Sequence, residues 1–245
     1  CTPSRHAVAS GQYPWRLGDA VNLGSSLPLT TPVYPDLLVA AGYQTGFCRK
    51  GTAPSKHTFR GNDPFGSRYK NFAEFDSQRD PGVPFCFWYG AGEPHRPYDL
   101  GSAKRAGMNL EAIEVPPSLP DHRTTRSDLG DYFMRIQRFD EDCGKILQRL
   151  ERQGQLENTL VVMTSDNGYP FPRGKATLYD LGTRIPLVIR WGKKSAGHKP
   201  TEFVSLVDLA PTFLEAAGLT SPEEISGRSL VPLIAGTRDS ERDFV

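Results

Sequence analysis

Short apolar runs of strand length alternate with helical patterns along this chain. Residues 84–90 (PFCFWYG), 159–165 (TLVVMTS) and 186–191 (PLVIRW) have the length and composition of buried strands. Residues 203–207 (FVSLV) are a fourth candidate. Strands that alternate with helices predict an α/β fold with a doubly wound, mostly parallel sheet flanked by helices.

Turn and capping residues give the expected limits of the helices. Residues 34–50 predict a short helix that ends at Gly42, followed by a strand. Ser127 is predicted to cap the longest helix and Gly154 to follow its end, and Asp208 is predicted to cap a later helix. The long helix has apolar residues at steps of three or four: Leu129, Phe133, Ile136, Phe139, Cys143, Leu147 and Leu150.

Composition excludes two classes of partner. The chain has 245 residues, enough for one large α/β domain or, less comfortably, two small ones. Its 29 basic and 28 acidic residues give a net charge of +1, so bulk charge does not favour nucleic acid. No apolar run approaches the roughly 20 residues of a membrane span. We therefore expect neither nucleic acid nor a membrane span.

The four cysteines lack the spacing of a metal site. Cys48, Cys86 and Cys143 lie in apolar patterns and are expected to be small core residues. Cys1 differs, because Arg5 follows it within the stretch CTPSR. A thiol beside an arginine can be a reactive thiolate, although thiolate catalysis also needs a base that the spacing does not identify.

Polar residues follow three of the predicted strands. Lys50 ends the strand in residues 34–50, His95 follows residues 84–90, and the pair Asp166-Asn167 follows the strand at 159–165. Ligands of doubly wound sheets bind at the carboxyl ends of the strands. These residues therefore predict one functional site.

Each of these residues also has a structural interpretation. Asp166 and Asn167 are typical of a turn, and they also offer oxygen ligands to a hard cation. Two oxygens are too few for calcium, so other ligands would have to come from elsewhere. His95 is either a loop histidine or a general acid or base. Lys50 and Lys175 are either surface lysines or point charges for an anion.

Several segments together resemble the sulfatase family. CTPSR at residues 1–5 matches the family signature C-x-P-S/T-R, and GYQTGFCRK at 42–50 matches its glycine-tyrosine-x-threonine signature followed by a lysine. Four further segments are similar to sulfatase segments and follow in the family order: PHRP (94–97), SDNG (165–168), LYDLGTRIPLVI (178–189) and VDLAPTFLEAAG (207–218).

The resemblance implies an alkaline-phosphatase-like sulfatase core and a modified cysteine. Cys1 would be oxidised to formylglycine by a formylglycine-generating or sulfatase-maturing enzyme, and its hydrate would be the nucleophile. Arg5 would steady that hydrate. Asp166, Asn167 and the modified Cys1 would bind Ca²⁺, in preference to Mg²⁺.

The resemblance also implies the reaction and the substrate class. The reaction would be hydrolysis of sulfate esters or sulfamates on sulfated glycans, such as heparan-type substrates. Lys50, His95 and Lys175 would bind the substrate: the lysines offset charge, and His95 protonates the leaving atom. The PFP at residues 170–172 is most similar to the heparan N-sulfatase branch. Family members of this kind are exported to the periplasm, the extracellular space or the lysosome.

Three features depart from the family pattern. Thr52 stands where the family commonly has a histidine, and His57 is five residues too far along to replace it. A strand with paired aspartates, expected before Cys1, and a smaller C-terminal subdomain are not found. Residues 1–245 are therefore expected to be a single sulfatase catalytic domain, truncated at both ends.

Two alternative functions stay open. A phosphomonoesterase or phosphodiesterase of the same superfamily would share the sheet and the metal pair, but would normally have serine, threonine or a second metal cluster at CTPSR. An inactive, glycan-binding relative would fit the threonine at position 52.

Overall fold

The structure is a computed structural model that describes residues 1–195, 197–237 and 242. The strands within these residues are β1 Gln44–Arg49, β2 Ser67–Tyr69, β3 Phe85–Gly90, β4 Val161–Thr164 and β5 Leu187–Arg190. The α-helices are α1 Thr2–Ser10, α2 Tyr34–Ala40, α3 Phe72–Gln78, α4 Ser102–Arg105, α5 Arg123–Arg152, α6 Asp180–Thr183, α7 Leu209–Ala216 and α8 Val231–Ile234. Short 3₁₀ helices cover Pro14–Arg16, Gly18–Val21, Leu110–Ala112, Leu156–Asn158, Gly192–Lys194 and Leu206–Asp208.

The chain groups into two compact units. The first unit comprises Cys1–Gly90, Gln155–Asp166 and Leu187–Val245, and the second comprises Ala91–Gly154 and Asn167–Pro186. All five strands belong to the first unit, whereas α4, α5 and α6 belong to the second. The expectation of a single catalytic domain over residues 1–245 stays a prediction.

The α/β prediction is confirmed, with two corrections. Strands β2, β1 and β3 form a parallel sheet in that order, but β4 and β5 pair antiparallel. Strand composition does not encode direction, which explains this difference. Residues 203–207 are not a strand, because Ser205 and Asp208 form a capping box that starts a 3₁₀ turn. Helix α7 follows directly after Asp208, close to the predicted position.

Most helix ends agree with the sequence, and one does not. Helix α2 ends before Gly42, which has φ of 89°, as predicted. The prediction that Ser127 caps the long helix is wrong: α5 begins at Arg123, because Nδ1 of His122 accepts the backbone N–H of Thr124 at 3.3 Å. Gly154, with φ of 67°, follows the end of this helix as predicted.

Helix α1, of nine residues, starts immediately after Cys1, although no capping residue in the sequence predicts it. Proline is tolerated in a first turn, where its missing N–H has no partner to lose, so Pro3 does not prevent the helix. Val8 and Ala9 of this helix are buried in the core of the first unit. This burial holds the N-terminus of α1, with Cys1 at its N-cap, against the rest of the unit.

Two of the cysteines are buried and a third, Cys86, is half-buried, as expected for small core residues. Cys48 and Cys143 are buried, and burial raises the pKa of the Cys86 thiol to about 11. All four cysteines lie in the described part of the chain, and none forms a disulfide there. The described residues contain no helix with both the length and the apolar character needed to cross a bilayer.

Candidate active site

Cys1 and Lys50 are in direct contact. Lys50 Nζ lies 2.9 Å from Cys1 Sγ, and both side chains belong to half-buried residues. Cys1 is the N-cap of α1, where backbone N–H groups and the helix dipole favour negative charge. The contact therefore joins a positive side chain to a helix N-terminus.

The sheet fixes the backbone of Lys50. Its N–H donates to the carbonyl of Gly90 at 2.9 Å, one residue beyond the last pair of β1 and β3. A Cβ at residue 90 would collide with the carbonyl oxygen of Lys50, so this close approach requires glycine. Trp88, which the sequence analysis did not single out, donates its Nε1–H to the same carbonyl at 3.1 Å.

Arg5 connects three segments of the first unit. Its Nε donates to Asp166 Oδ2 at 2.7 Å, and its Nη1 donates to the carbonyls of Lys50 at 2.8 Å and Gly51 at 2.7 Å. The residue is only 7% exposed. The planar guanidinium reaches these acceptors from two separate nitrogen atoms, whereas a lysine would have to reach all three from one. Arg5 thus holds the end of β1 and the residues after β4 near the start of α1.

Charges in this cluster change the acid–base behaviour of its members. Burial would raise the pKa of Asp166, but the Arg5 guanidinium holds that pKa below its usual value. Burial lowers the pKa of Lys50, and Arg5 lowers it further against the opposing effect of Asp166. Asp166 is therefore an anion over the neutral range, and Lys50 loses its proton at a lower pH than an ordinary lysine.

Thr52 is part of a buried network rather than a reacting group. Its N–H and hydroxyl both donate to Asp63 Oδ2, at 2.8 and 3.1 Å, and the residue is fully buried. His57 Nε2 lies 3.5 Å from the same carboxylate oxygen. A Cβ at residue 51 would collide with Asp63, so the carboxylate packs directly against Gly51. Asp63 thereby shapes the turn that follows Lys50, a role that no motif in the sequence indicated.

His6, beside Arg5, is a second buried residue that the sequence analysis missed. Its Nδ1 lies 2.7 Å from the carbonyl of Ala20 and its Nε2 lies 2.9 Å from Ser55 Oγ. Burial is the main cause that lowers its pKa. Because these bonds run to the 3₁₀ helix Gly18–Val21 and to the segment at Ser55, His6 secures α1 to its surroundings.

The other predicted site residues belong to the second unit. His95 is exposed, and its Nδ1 lies 2.6 Å from the carbonyl of Arg96. Asn167 donates from Nδ2 to the carbonyl of Gly168 at 2.8 Å. Lys175 is half-buried on a turn that its own N–H closes on the carbonyl of Tyr169 at 2.9 Å. The structure thus brings together Cys1, Arg5, Lys50 and Asp166, all within the first unit.

The described residues do not form a calcium cage by themselves. Among them, no group of three or more His, Cys, Asp or Glu residues could hold a metal ion. Asp166 and Asn167 offer oxygens of the right chemistry, but calcium takes about six to eight oxygen ligands. Arg5 also occupies one oxygen of Asp166. The described residues alone therefore supply too few ligands for a calcium ion.

This geometry suits a negatively charged group next to residue 1. A helix N-terminus and a lysine ammonium both stabilise anionic oxygens, and they do so more strongly where water is partly excluded. The ionised Asp166 is paired with Arg5 and leaves the Lys50 ammonium directed at Cys1. The arrangement can therefore stabilise charge on a group that reacts with the residue at position 1.

Sequence comparisons identify a family and relatives of this chain. Residues 1–219 match the family model described as Sulfatase. N-sulphoglucosamine sulphohydrolase from Homo sapiens is 34% identical over 166 residues, which cover 61% of this chain and 32% of that protein. The ulvan-active sulfatase of Formosa agariphila is 26% identical over 294 residues, covering 100% of this chain and 48% of that protein. The chain thus spans about a third of the length of the first of these relatives and about half of the second.

Solved structures share the fold. A protein solved in complex with its substrate D-glucosamine-2-N,6-O-disulfate superposes with a TM-score of 0.75 at 22% identity, over 98% of this chain and 72% of that chain. A phosphonate monoester hydrolase from Silicibacter pomeroyi gives a TM-score of 0.79 at 18% identity, over 99% of this chain and 68% of that chain. The expected alkaline-phosphatase-like α/β fold is confirmed, and with a family model that matches residues 1–219 the chain belongs to the sulfatase family.

Proposed function

We propose that this protein hydrolyses sulfate esters or sulfamates of sulfated glycans, with residue 1 converted to formylglycine. The observation that carries the proposal is the 2.9 Å contact between Lys50 Nζ and Cys1 Sγ at the N-terminus of α1. It supports a site for an anionic group at residue 1. Relatives named as N-sulphoglucosamine sulphohydrolase, N-acetylgalactosamine-6-sulfatase and ulvan-active sulfatase support sulfated glycans as the substrate class.

Formylglycine at position 1, as its hydrate, would supply an oxygen nucleophile where the thiol now stands. The chain's own residues neutralise the charge of the incoming sulfuryl group. The Lys50 ammonium lies 2.9 Å from Cys1 Sγ, and Cys1 is the N-cap of α1, at the positive end of the helix dipole. Negative charge that grows on sulfuryl oxygens during the reaction is offset by these groups.

Arg5 acts on the reaction by organising the site. Its donors to Asp166, Lys50 and Gly51 hold the turn after β1 in place. The same contacts keep Asp166 ionised and turned toward Arg5. In this proposal Arg5 steadies the reacting group indirectly, by fixing the Lys50 backbone.

His95 and Lys175 complete the proposed set of substrate-binding residues. His95 Nδ1 lies against a carbonyl, which only accepts, so Nδ1 carries a hydrogen and Nε2 remains to carry the catalytic proton. Nε2–H of the protonated ring would donate to the leaving oxygen or nitrogen. Lys175 would add a second positive charge for the sulfate or the glycan.

The cofactor, the partner and the location are proposals that rest on the family. Ca²⁺ would take Asp166 and Asn167 as two of its ligands, together with residue 1 and others outside the described set. A formylglycine-generating or sulfatase-maturing enzyme would modify Cys1. The protein would be exported, because sulfated glycans lie outside the cytoplasm.

The fold does not separate sulfate esters from phosphorus esters, since a phosphonate monoester hydrolase shares it. The test is therefore a paired assay with nitrophenyl sulfate and nitrophenyl phosphate, on protein co-expressed with a maturing enzyme. We expect the sulfate to be preferred and Cys1→Ala to remove turnover. Preference for the phosphate would favour a phosphoesterase, and glycan binding without turnover of either compound would favour a binding protein.

A further inference from the structure

Arg96 is held by an unusually complete set of contacts in the loop after β3. Its guanidinium carbon lies 4.5 Å from the ring centre of Tyr98 and 4.9 Å from that of Phe171. Its Nη1 and Nη2 donate to the two carboxylate oxygens of Asp128 at 3.0 and 2.6 Å. Its Nε points to the carbonyl of Pro170 at 3.4 Å. All of these residues belong to the second unit.

These contacts need an arginine. A flat guanidinium can pack against two aromatic rings and still present two parallel donors to one carboxylate. A lysine at this position would keep the charge but lose the paired donors and the flat surface. The side chain of Arg96 therefore fixes its own backbone to α5 through Asp128, and to the segment 170–171.

The backbone of Arg96 in turn orients His95. The carbonyl of Arg96 accepts the Nδ1–H of His95 at 2.6 Å, and the N–H of His95 donates to the carbonyl of Gly92 at 2.9 Å. A hydrogen bond from one ring nitrogen decides which tautomer a histidine adopts. The ring can keep the Nδ1–H tautomer only while the Arg96 carbonyl stays in place.

We propose that Arg96 is a positioning residue that fixes the ring orientation and tautomer of His95, and that Asp128 holds Arg96 for this task. The effect on catalysis rests on the proposed function, in which His95 Nε2 carries a proton to the leaving atom. The positioning itself can be measured without any turnover.

The first measurement is nitrogen-15 NMR of histidine-labelled protein, with the His95 signals assigned from His95→Ala. We expect the wild type to show the Nδ1–H tautomer at His95 at a pH where the ring is neutral. Arg96→Lys and Asp128→Asn should shift both nitrogens toward a mixture of tautomers. Arg126→Lys is the matched control, because Arg126 also pairs with an aspartate, Asp121, through two donors near the start of α5.

The second measurement is kcat/KM on phenyl sulfate and nitrophenyl sulfate, in wild-type and His95→Ala backgrounds. Phenolate is the more basic leaving group, so Arg96→Lys should lower kcat/KM on phenyl sulfate by on the order of tenfold and on nitrophenyl sulfate by much less. In the His95→Ala background, Arg96→Lys should cause no further loss.

The outcomes distinguish the positioning of His95 by Arg96 from the general-acid role of His95. An unchanged His95 tautomer in folded Arg96→Lys overturns the positioning proposal, whatever the kinetics. A tautomer change with unaltered kinetics supports the positioning and overturns the general-acid role of His95. Equal further losses from Arg96→Lys with and without His95 overturn the idea that Arg96 acts on the reaction through His95.

Discussion

Lys50 Nζ donates to Cys1 Sγ across 2.9 Å, although 49 positions of sequence separate the two residues. Helix α1 supplies Cys1 at its N-cap, and Lys50 comes directly after β1. Both residues depend on Arg5, which lies on α1 and donates to the carbonyl of Lys50. A shift of α1 relative to β1 would therefore break the Lys50–Cys1 contact together with the hydrogen bonds from Arg5 to the carbonyls of Lys50 and Gly51.

The first prediction concerns the modification of Cys1. In protein made with a maturing enzyme, the peptide that contains residue 1 should be lighter than encoded, by the change from CH₂SH to CHO. Cys1→Ala and Cys1→Ser should remove nearly all sulfatase turnover. Mass spectrometry and a nitrophenyl sulfate assay test this together. A fully active enzyme with an intact thiol at position 1 would contradict it.

The second prediction concerns the charge of Lys50. Lys50→Met should lower kcat/KM by roughly 10²-fold or more, because a preorganised charge next to the reacting group is lost. Because burial lowers the pKa of Lys50, activity should decline on the alkaline side at a lower pH than for an ordinary lysine. Lys50→Arg should move that decline to higher pH, since a guanidinium stays charged. An alkaline limb that does not move in Lys50→Arg would exclude Lys50 as its origin.

The third prediction concerns the ion pair of Arg5 and Asp166. Asp166→Ala should lower the free energy of unfolding by about 2–3 kcal/mol, because Arg5 is 7% exposed and would lose its charged partner. Urea denaturation measures the change. Asp99→Ala is the control, since Asp99 pairs with Arg105 and the two side chains are 62% and 59% exposed, so this ion pair should contribute about 1 kcal/mol or less. Similar losses in both variants would contradict the prediction.

The ion pair of Arg5 and Asp166 also makes the free energy of unfolding depend on pH in acid. The pKa of Asp166 is lowered in the folded state from an ordinary value of 3.8, so its stabilising effect is complete above that value. The effect should be lost as the pH falls below 3.8 and through the folded-state pKa. The stability difference between wild type and Asp166→Asn should thus be constant from pH 5 to 7 and shrink below pH 4. A difference that grows in acid would show that the pair is not the cause.

The fourth prediction concerns calcium. A chain of residues 1–245 should bind Ca²⁺ weakly in calorimetry, because the described residues supply too few oxygen ligands. In an active protein, Asp166→Ala should weaken Ca²⁺ binding and turnover together, and Asn167→Ala should do so more mildly. Full turnover in excess chelator would rule out a calcium requirement.

The fifth prediction concerns His95 as a general acid. His95→Ala should lower kcat/KM on phenyl sulfate by about 10²-fold or more, and much less on nitrophenyl sulfate, whose leaving group departs without a proton. A melting curve of the variant provides the control for stability. Equal losses on the two substrates would remove the general-acid role and leave a loop histidine.

The first-unit cluster could be predicted in part from sequence. Lys50 and Asp166 follow apolar strand-length runs, and the carboxyl ends of strands are where ligands bind. Residue composition carried that information. Asp63 and Trp88 could not be predicted, because their roles depend on which loop carbonyl or N–H lies within reach after folding. No local pattern encodes such a contact.

The errors in predicting the fold from sequence have similar causes. Ser127 and His122 are both polar residues near the start of the long helix, and only the position of the Thr124 N–H shows that His122 is the cap. Residues 203–207 are apolar enough for a strand, but the local bonds between Ser205 and Asp208 favour a turn. The catalytic and binding roles proposed for the residues of both units stay predictions.

The absence of a side chain at Gly90 limits which positions near Lys50 can be substituted. Because the Lys50 carbonyl fills the space that a Cβ would need, even an alanine at position 90 would push on the residue that contacts Cys1. Libraries that vary the loop after β3 to change substrate preference should therefore begin at residue 91. A damaging substitution at position 90 would look like a catalytic defect although residue 90 has no side chain to take part in the reaction.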